Sequence, residues 1–503
     1  MRLERAVRAL RAAGVCVSVA VPGNGSGGPG IGGVTSDSRQ VRRGCLFVAL
    51  RGTRMDGLKF APEAVRRGAA AVVADRPMRG AELRRVVRIR VRDAGMAYGI
   101  LASEFYGRPT ERLRIHGVTG TNGKTTTTYL IRRLLMGAGI KTALLGTVNE
   151  EIPGRPPVPS ALTTPDAVNM NRFFRQALDA GCEAGVCEVS SHALDQRRVW
   201  GIRFHTVVFT NLTQDHLDYH RTMEKYFEAK KKLFVEYEYE KAVVNIDDAY
   251  GRRLAALLER AGRPVVTFGR RRGATVRILS ARSDLRGTRA RLNAFGKDIP
   301  LRLSLIGDYN LSNAAAALSA CGDPANVSTL ARLLAGASAP PGRMERVDAG
   351  QAFVALVDYA HTPDALEKLL LACRRLNPRR LICLFGCGGD RDRTKRPKMA
   401  RVVTRLADFA IVTSDNPRAE NPMDIIRDIR PGFRGREGQT YVVEPDRRRA
   451  IALACRMARR GEIVAMAGKG HETYQIIGTT KFPFDDRKVA RTAILETLRA
   501  AGC

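Results

Sequence analysis

The chain has 503 residues, 44% hydrophobic and 27% charged; at roughly 100–200 residues per domain this suggests three domains and excludes a wholly disordered chain, a collagen-like repeat and a multi-span membrane protein. Lys and Arg number 84 against 50 Asp and Glu, a net charge of +34, a field that would attract nucleic acid, anionic lipid or polyanionic substrates. The basic residues are spread along the chain rather than gathered in a tail, and aromatics are only 6%, which fits an Arg-rich surface better than a base-stacking one.

At the N-terminus Leu3, Val7, Leu10 and Ala13 have helical spacing, and the apolar run Val15–Val21 that follows is short and contains Ser18. A helix and then a strand are expected here, not a signal peptide. No stretch of about 20 apolar residues exists, so no transmembrane helix is expected. The Gly/Pro-rich stretch Val21–Gly33 reads as a loop. Gly44–Leu50 and Gly68–Asp75 read as buried strands with an amphipathic helix (APEAVRRG) between them, making residues 1–112 a small α/β unit. From Ile115 to about Pro340 strands (LRIHGVTG, KTALLGTV, EAGVCEVSS, HTVVFTNL, KAVVNID) alternate with helical segments. That alternation implies a mostly parallel sheet with helices on both faces. Pro340–Val347 marks a second boundary, and FVALVDYA, RLICLFGCGG, FAIVTSDNP and EIVAMAGKG read as strands of a second doubly wound unit, with ligands expected at their carboxyl ends. The expected fold class is α/β in three domains, 1–112, 113–339 and 340–503. The ten cysteines form no CxxC pair, and neither Cys182/Cys187 nor Cys383/Cys387 is followed by His or Cys at zinc-ligand spacing. A reduced, cytoplasmic compartment is expected.

The strongest local signal is HGVTGTNGKTTTTYL, where a strand runs through Gly120, Thr121, Asn122 and Gly123 into a helix beginning Lys124-Thr125-Thr126. Small residues let backbone N–H groups face a phosphate, and the helix N-terminus adds positive potential. Lys124 can reach β- and γ-phosphates and the Thr125 hydroxyl can ligate Mg²⁺. The common pattern GxxxxGK[ST] would put Gly at position 118, which is Val118 here, so this is a variant loop.

This loop resembles that of the Mur ligases, ATP-dependent amide-forming enzymes of peptidoglycan precursor assembly. Further motifs carry the resemblance along nearly the whole chain: TSDSR (Thr35–Arg39), LTTP (Leu162–Pro165), EVSSHALDQRRV (Glu188–Val199), FTNLTQDHLDYH (Phe209–His220), YFEAKKKLF (Tyr226–Phe234), GDYNLSNAAAA (Gly307–Ala317), GRMERV (Gly342–Val347), VDYAHTPDAL (Val357–Leu366), FGCGGDRDRTKRP (Phe385–Pro397), TSDNPRAENP (Thr413–Pro422) and GKGHETYQ (Gly468–Gln475). They look like the branch that adds the third residue to the UDP-linked muramoyl peptide.

The resemblance implies ATP and Mg²⁺ and assigns roles by position. Lys124, Glu188, His216 and Lys230 would be catalytic. Thr125, Glu188, His216 and Lys230 would serve as metal ligands, Lys230 after carbamylation by CO₂, which turns a cation into an anion and needs a neutral amine. On residue type alone Glu188 is a surface acid at a strand end, His216 a structural histidine beside Asp215 and Asp218, and Lys230 part of a solvated KKK face. His192 and His220 would shape the same loop. Gly120–Thr126, Asn310, Arg343 and Asp358 would bind ATP. Asn310 and Asn313 share one helical face, suited either to an adenine edge or to packing. Ser36, Ser38, Thr163, Thr164, Ser190, Gln196 and Arg198 would contact the UDP-linked substrate, whose oxygen-rich groups suit hydroxyl, amide and guanidinium donors.

DNPR (Asp415, Asn416, Pro417, Arg418) would select the added amino acid. meso-Diaminopimelate differs from lysine by a distal carboxylate, which a guanidinium binds bidentately. Arg418 would supply it, with Arg391, Gly468 and Glu472 completing the pocket; DNPR is also an ordinary turn sequence. Three departures from the family pattern stand out: Leu58 for a frequent His, Thr394 for Gly and Asn421 for Asp. The expected partners are UDP-MurNAc-L-Ala-D-Glu, meso-diaminopimelate and ATP, with no membrane insertion, nucleic acid bound only nonspecifically, and a monomeric state. The alternatives are a lysine-adding or folylpolyglutamate-type ligase and, from another class, a basic nucleic-acid-binding protein on a ligase fold.

Overall fold

A computed structural model describes residues 1–22, 29–52, 55–284 and 286–500. It divides into two compact units. The first comprises Met1–Thr119, Gly139–Val208 and Ala229–Ala242; the second comprises Gly120–Ala138, Phe209–Glu228 and Val243–Cys503.

The first unit opens with the expected helix, Leu3–Ala12, and strand, Cys16–Ala20. That strand is the antiparallel edge of a five-stranded sheet whose other strands, Val87–Val91, Ala71–Ala74, Cys45–Val48 and Gly33–Thr35, run parallel. The period of two along these strands builds two cores. Leu46, Val48, Ala71 and Val73 face Leu3, Val7, Leu10 and Leu101, whereas Phe47, Val72 and Ala74 face Ala61, Ala64 and Leu83. The Gly/Pro-rich loop ends earlier than its composition suggests. Residues 23–28 lie outside the described residues, but Gly33 already starts a strand, because Val34 and Thr35 are β-branched and buried. Further along the same unit, Ala184–Glu188 lies parallel between Arg114–Thr119 and Thr142–Leu145, with short antiparallel strands Asn149–Glu151 and Val158–Pro159 beyond.

In the second unit, helix Lys124–Gly137 packs on the Ala-rich helix Asp308–Cys321. An antiparallel meander, Val276–Asp284, Gly287–Ala294 and Lys297–Leu303, departs from the expected parallel pattern. Its strands alternate buried and exposed residues, a two-sided pattern that tight turns can connect without a crossover helix. The C-terminal sheet has the order Glu345–Val347, Val354–Asp358, Ile463–Ala467, Leu381–Phe385, Phe409–Val412, Tyr441–Val443, all parallel except the first pair. Apolar clusters cover both faces, as in a doubly wound sheet. Its carboxyl ends deliver the loops that begin at Asp358, Gly386, Thr413 and Gly468 to one edge.

Nine cysteines are described and none forms a disulfide; seven are buried, Cys16 and Cys321 only partly so. No described helix is long and apolar enough to cross a membrane.

Candidate active site

The phosphate loop is fixed from outside as well as by its own turns. Thr121 N–H donates to Asn211 O at 2.8 Å, and Asn122 exchanges bonds with the Asn211 side chain at 3.0 Å each way. Thr210 Oγ1 donates to Asn122 O at 2.7 Å. Gly123 caps the helix at φ +85°, and a Cβ there would stand 2.3 Å from Asn313 Oδ1, so no side chain fits. Helix Lys124–Gly137 has no side-chain cap, and the positive potential of a helix N-terminus favours an anion there. Lys124 Nζ donates to Gly120 O at 2.9 Å and Thr121 O at 2.8 Å, which holds the ammonium over the loop. Thr125 and Thr126 are buried at the helix start.

Arg343, from the turn before Glu345–Val347, donates from Nη2 to Thr125 Oγ1 at 3.1 Å, and its guanidinium lies 4.5 Å over the Tyr359 ring. Its Nε is buried without a partner. Asp358 is held by Met344 N–H at 2.7 Å and Ala360 N–H at 2.8 Å, and burial raises its pKa despite Arg343. Asn310 and Asn313 are buried. Asn310 Nδ2 donates to Ile306 O at 2.9 Å, and Thr127 donates to Asn313 Oδ1 at 3.4 Å. Their shared face is turned into protein and helps seat the phosphate-loop helix.

The loop after Thr206–Phe209 carries Asp215 and His216. Burial would raise the Asp215 carboxyl, but the fields of His216, His361 and Lys395, with the His216 N–H at 2.9 Å, hold it well below the usual carboxylate range. His216 sits at φ +54° with its Nε2 3.4 Å from Asp215. His220 is buried and stacks on Tyr226, while Asp218 is exposed. Neighbouring side chains reach residues beyond 340 of the same unit: Asn122 Nδ2 donates to Asp364 at 2.6 Å, Gln214 Nε2 donates to Thr394 Oγ1 at 3.2 Å, and Lys398 donates to Gln214 Oε1 at 2.6 Å.

In the first unit Glu188 is 1% exposed at its strand end, so it is no surface acid. Thr147 binds both its oxygens, through N–H at 2.7 Å and Oγ1 at 3.0 Å. Thr163 meets Thr147 Oγ1 at 3.1 Å; Thr164 Oγ1 donates to Glu188 O at 2.8 Å and accepts from Ser190 N–H at 3.0 Å. Ser190 caps helix Ser191–Asp195. Arg198 donates to Gln196 Oε1 and to Thr164 O. Lys230 is also 1% exposed, on helix Met223–Val235. A solvated KKK face is therefore wrong for Lys230, though Lys231 and Lys232 are half-exposed and Lys232 pairs with Asp195 at 2.8 Å. At the far end Ser38 Oγ donates to Glu63 at 3.0 Å, and Ser36 bonds Tyr98. Leu58 lies in a short turn of helix capped by Asp56.

The DNPR loop and the loops around Arg391 and Gly468 converge at the carboxyl edge of the C-terminal sheet. Asn416 Nδ2 donates to Glu472 Oε2 at 2.8 Å, and the fully buried Lys469 donates to the same oxygen at 2.9 Å and to Asn416 Oδ1 at 3.1 Å. Burial and then Asp415 raise the Glu472 pKa. Arg418, at φ +52°, donates from Nη1 to Gly389 O at 2.8 Å, and hairpin residues Ile476 and Gly478 bracket its backbone. Burial and then Arg391 lower its pKa, against the opposing fields of Asp415 and Glu472, so two guanidiniums and two acids face one region. Pro417 is buried between these turns. Asn421 accepts Met423 N–H at 2.9 Å as the N-cap of helix Pro422–Ile429, a role that Asn fills as well as Asp. Thr394 has right-handed helical φ, so nothing there requires Gly, and its hydroxyl bonds Asp392 at 2.6 Å.

Sequence reasoning passed over Thr147, Gln214, Asp364, Lys469 and Arg396. Burial sets Lys469 and Arg396 apart; the half-buried Thr147, Gln214 and Asp364 are set apart only by the partners they meet in the fold.

Three family models match the chain: "Mur ligase family, catalytic domain" over residues 30–106, "Mur ligase middle domain" over 118–321, and "Mur ligase, glutamate ligase domain" over 342–470. Among curated relatives, the UDP-N-acetylmuramoyl-L-alanyl-D-glutamate–2,6-diaminopimelate ligase of Aquifex aeolicus (strain VF5) is 44% identical over 472 residues, 94% of each chain. That of Gloeobacter violaceus is 48% identical over 467 residues, 92% of this chain and 94% of its own. A solved structure of an enzyme of that name, 33% identical, superposes with a TM-score of 0.66 over 93% of this chain and 95% of its own. A MurF ligase of Thermotoga maritima in complex with ADP, 20% identical, shares the fold with a TM-score of 0.58 over 93% and 97%.

Proposed function

The chain belongs to the Mur ligase family, and from that membership we propose that it joins meso-diaminopimelate to UDP-MurNAc-L-Ala-D-Glu at the expense of ATP, in peptidoglycan precursor assembly. The observation that carries the choice of amino acid is the guanidinium pair Arg391 and Arg418 set beside the acidic group Asp415 and Glu472. Two cations and two acids at the edge of one sheet match a substrate with an ammonium and a carboxylate at its distal carbon. Lysine would leave the guanidiniums unpaired.

In this reading the glutamyl γ-carboxylate attacks the γ-phosphorus of ATP. ADP leaves and an acyl phosphate forms. The diaminopimelate amine then attacks the acyl carbon, phosphate leaves, and the amine proton passes to solvent. Lys124, the helix N-terminus and Arg343 stabilise charge on the phosphates. The unpartnered Arg343 Nε gives that guanidinium a donor still to be used. Asn310 and Asp358 belong to the nucleotide site. Thr163, Thr164, Ser190, Gln196 and Arg198 line the muramoyl-peptide end, and Ser36 and Ser38 the uridine end.

Among the described residues no cluster of three or more His, Cys, Asp or Glu forms a metal cage. The donors that family membership assigns, the Thr125 hydroxyl, the buried Glu188 carboxylate, His216 and a Lys230 carbamate, are mostly oxygens. They suit Mg²⁺, which takes few protein ligands beside phosphate and water. Mg²⁺ would neutralise charge between the two anions. Lys230 is buried, and its carbamylation would require a neutral amine. We propose domains 1–112, 113–339 and 340–503, supported by family-model spans that each fall within one of them, and a cytoplasmic, monomeric enzyme. Any DNA binding from the +34 charge should vanish in moderate salt and leave ligation unchanged.

The test is a substrate panel. Purified protein with UDP-dipeptide, ATP and Mg²⁺ should release phosphate with diaminopimelate and far less with lysine or ornithine. Equal use of lysine would overturn the assignment.

A further inference from the structure

Arg418 is expected to meet the substrate, yet its guanidinium rests on a backbone oxygen, Gly389 O, so its aim depends on where the 386–391 loop sits. That loop is held against 415–420 at several points. Gly389 N–H donates to Asn416 O at 3.0 Å, and a Cβ on Gly389 would stand 1.9 Å from Pro417 O, an approach only glycine permits. Ala419 N–H donates to Asp390 Oδ2 at 3.2 Å, and Asp390 N–H donates to Glu420 Oε1 at 2.6 Å. Asp390 and Arg418 both adopt left-handed backbone, φ +51° and +52°, which persists in non-glycine residues only where the surroundings enforce it.

What enforces it is a buried cation. Arg396, with no solvent exposure, donates from Nη2 to Glu420 Oε1 at 2.7 Å and from Nη1 to Glu420 Oε2 at 2.9 Å and Asp428 Oδ2 at 2.8 Å. Asp428 is also held by Arg393 at 2.8 Å. The planar fork fixes both oxygens of Glu420. One of those oxygens is the acceptor for Asp390 N–H.

We propose that Glu420, locked by Arg396, is a positioning residue for amino-acid selection: it sets the Asp390 backbone, hence Gly389 O, hence the direction in which Arg418 presents its guanidinium to the distal carboxylate of diaminopimelate. This rests on the function proposed above. Neither residue need touch substrate.

The experiment compares wild type, Glu420→Gln and Glu420→Asp with diaminopimelate and with lysine, each at saturating ATP and UDP-dipeptide. Gln turns an N–H toward the Arg396 fork and so frees the loop. The expected result is a rise of about tenfold in KM for diaminopimelate, with kcat within about twofold and KM for ATP unmoved. The low lysine rate should stay as it was, so preference narrows by about tenfold. Glu420→Asp, which restores the charge, should recover part of the loss. An unchanged KM, or an equal fall in kcat for both amino acids, overturns the proposal by making Glu420 merely structural. If Glu420→Gln does not fold, Arg396→Lys carries the same test, since it keeps the charge but loses the fork; the same KM split is expected and its absence overturns the inference. Wild type that ignores diaminopimelate would instead overturn the substrate assignment.

Discussion

The phosphate loop and the amino-acid pocket solve different problems with different materials. The loop is contiguous: Gly120 to Thr126 supply its turns, its cation and its helix start, and Lys124 leans on carbonyls within the loop itself. The pocket is gathered from residues near 390, 416 and 470, and cations without exposure lie among its supports: Arg396 with Glu420 and Asp428, Lys469 with Glu472, and Arg447 with Asp486 at 2.6 Å. A phosphate presents the same oxygens in every nucleotide, so a short local device suffices. Telling a carboxylate from a hydrogen at a distal carbon demands that several charges keep fixed relative positions. Buried ion pairs suit that demand, since breaking one is far costlier than forming it is favourable.

The largest expected effect tests the loop. Lys124→Met should cut phosphate release in the full reaction by about 10³-fold or more while leaving the melting temperature nearly unchanged; undiminished turnover would break the contrast at its simpler end. Arg418→Ala comes next, with kcat/KM for diaminopimelate falling by about 100-fold and the lysine rate spared, read from the same phosphate assay. Loss on both substrates alike would mean that the pocket does not discriminate through this guanidinium. A third effect concerns stability and pH. Hydrogen bonding to Arg396 lowers the Glu420 pKa below its ordinary 4.5. A carboxyl depressed on folding contributes stability that is complete above the unfolded value and is lost as pH falls through the folded one. Glu420→Gln should therefore cost about 2 kcal/mol near neutrality, and the gap from wild type should close below pH 4.5, measured by urea midpoints. The smallest effect is local: Asn421→Ala should cost about 1 kcal/mol as a lost N-cap, and Asn421→Asp only a few tenths.

The same contrast decided how much could be read without coordinates. Parallel strands such as Leu381–Phe385 and Ile463–Ala467 announce themselves as unbroken apolar runs, and the phosphate loop as a strand, small residues and a helix. The meander at 276–303 was missed because its strands are half-exposed and rich in Arg, like much of this surface. Lys230 reads as one of three lysines on a solvated face; only its burial separates it from its neighbours. Arg396 and Glu420 fared likewise, because nothing local tells a buried Arg from the dozens outside. Asn310 shows how residue type leaves two readings open. Its amide suggested a ligand contact, and the packing of helix Asp308–Cys321 has engaged it with protein.

The thiols carry a practical consequence. Burial pushes Cys373, Cys387 and Cys455 up to about 12 and raises Cys187 and Cys383 as well, so their reactive thiolate form is scarce at neutral pH. Among the described cysteines only Cys16 and Cys321 have even partial access to solvent, and one belongs to each compact unit. With Cys503 changed to Ser, a maleimide reagent on those two native positions would report on each compact unit separately, without any introduced anchor.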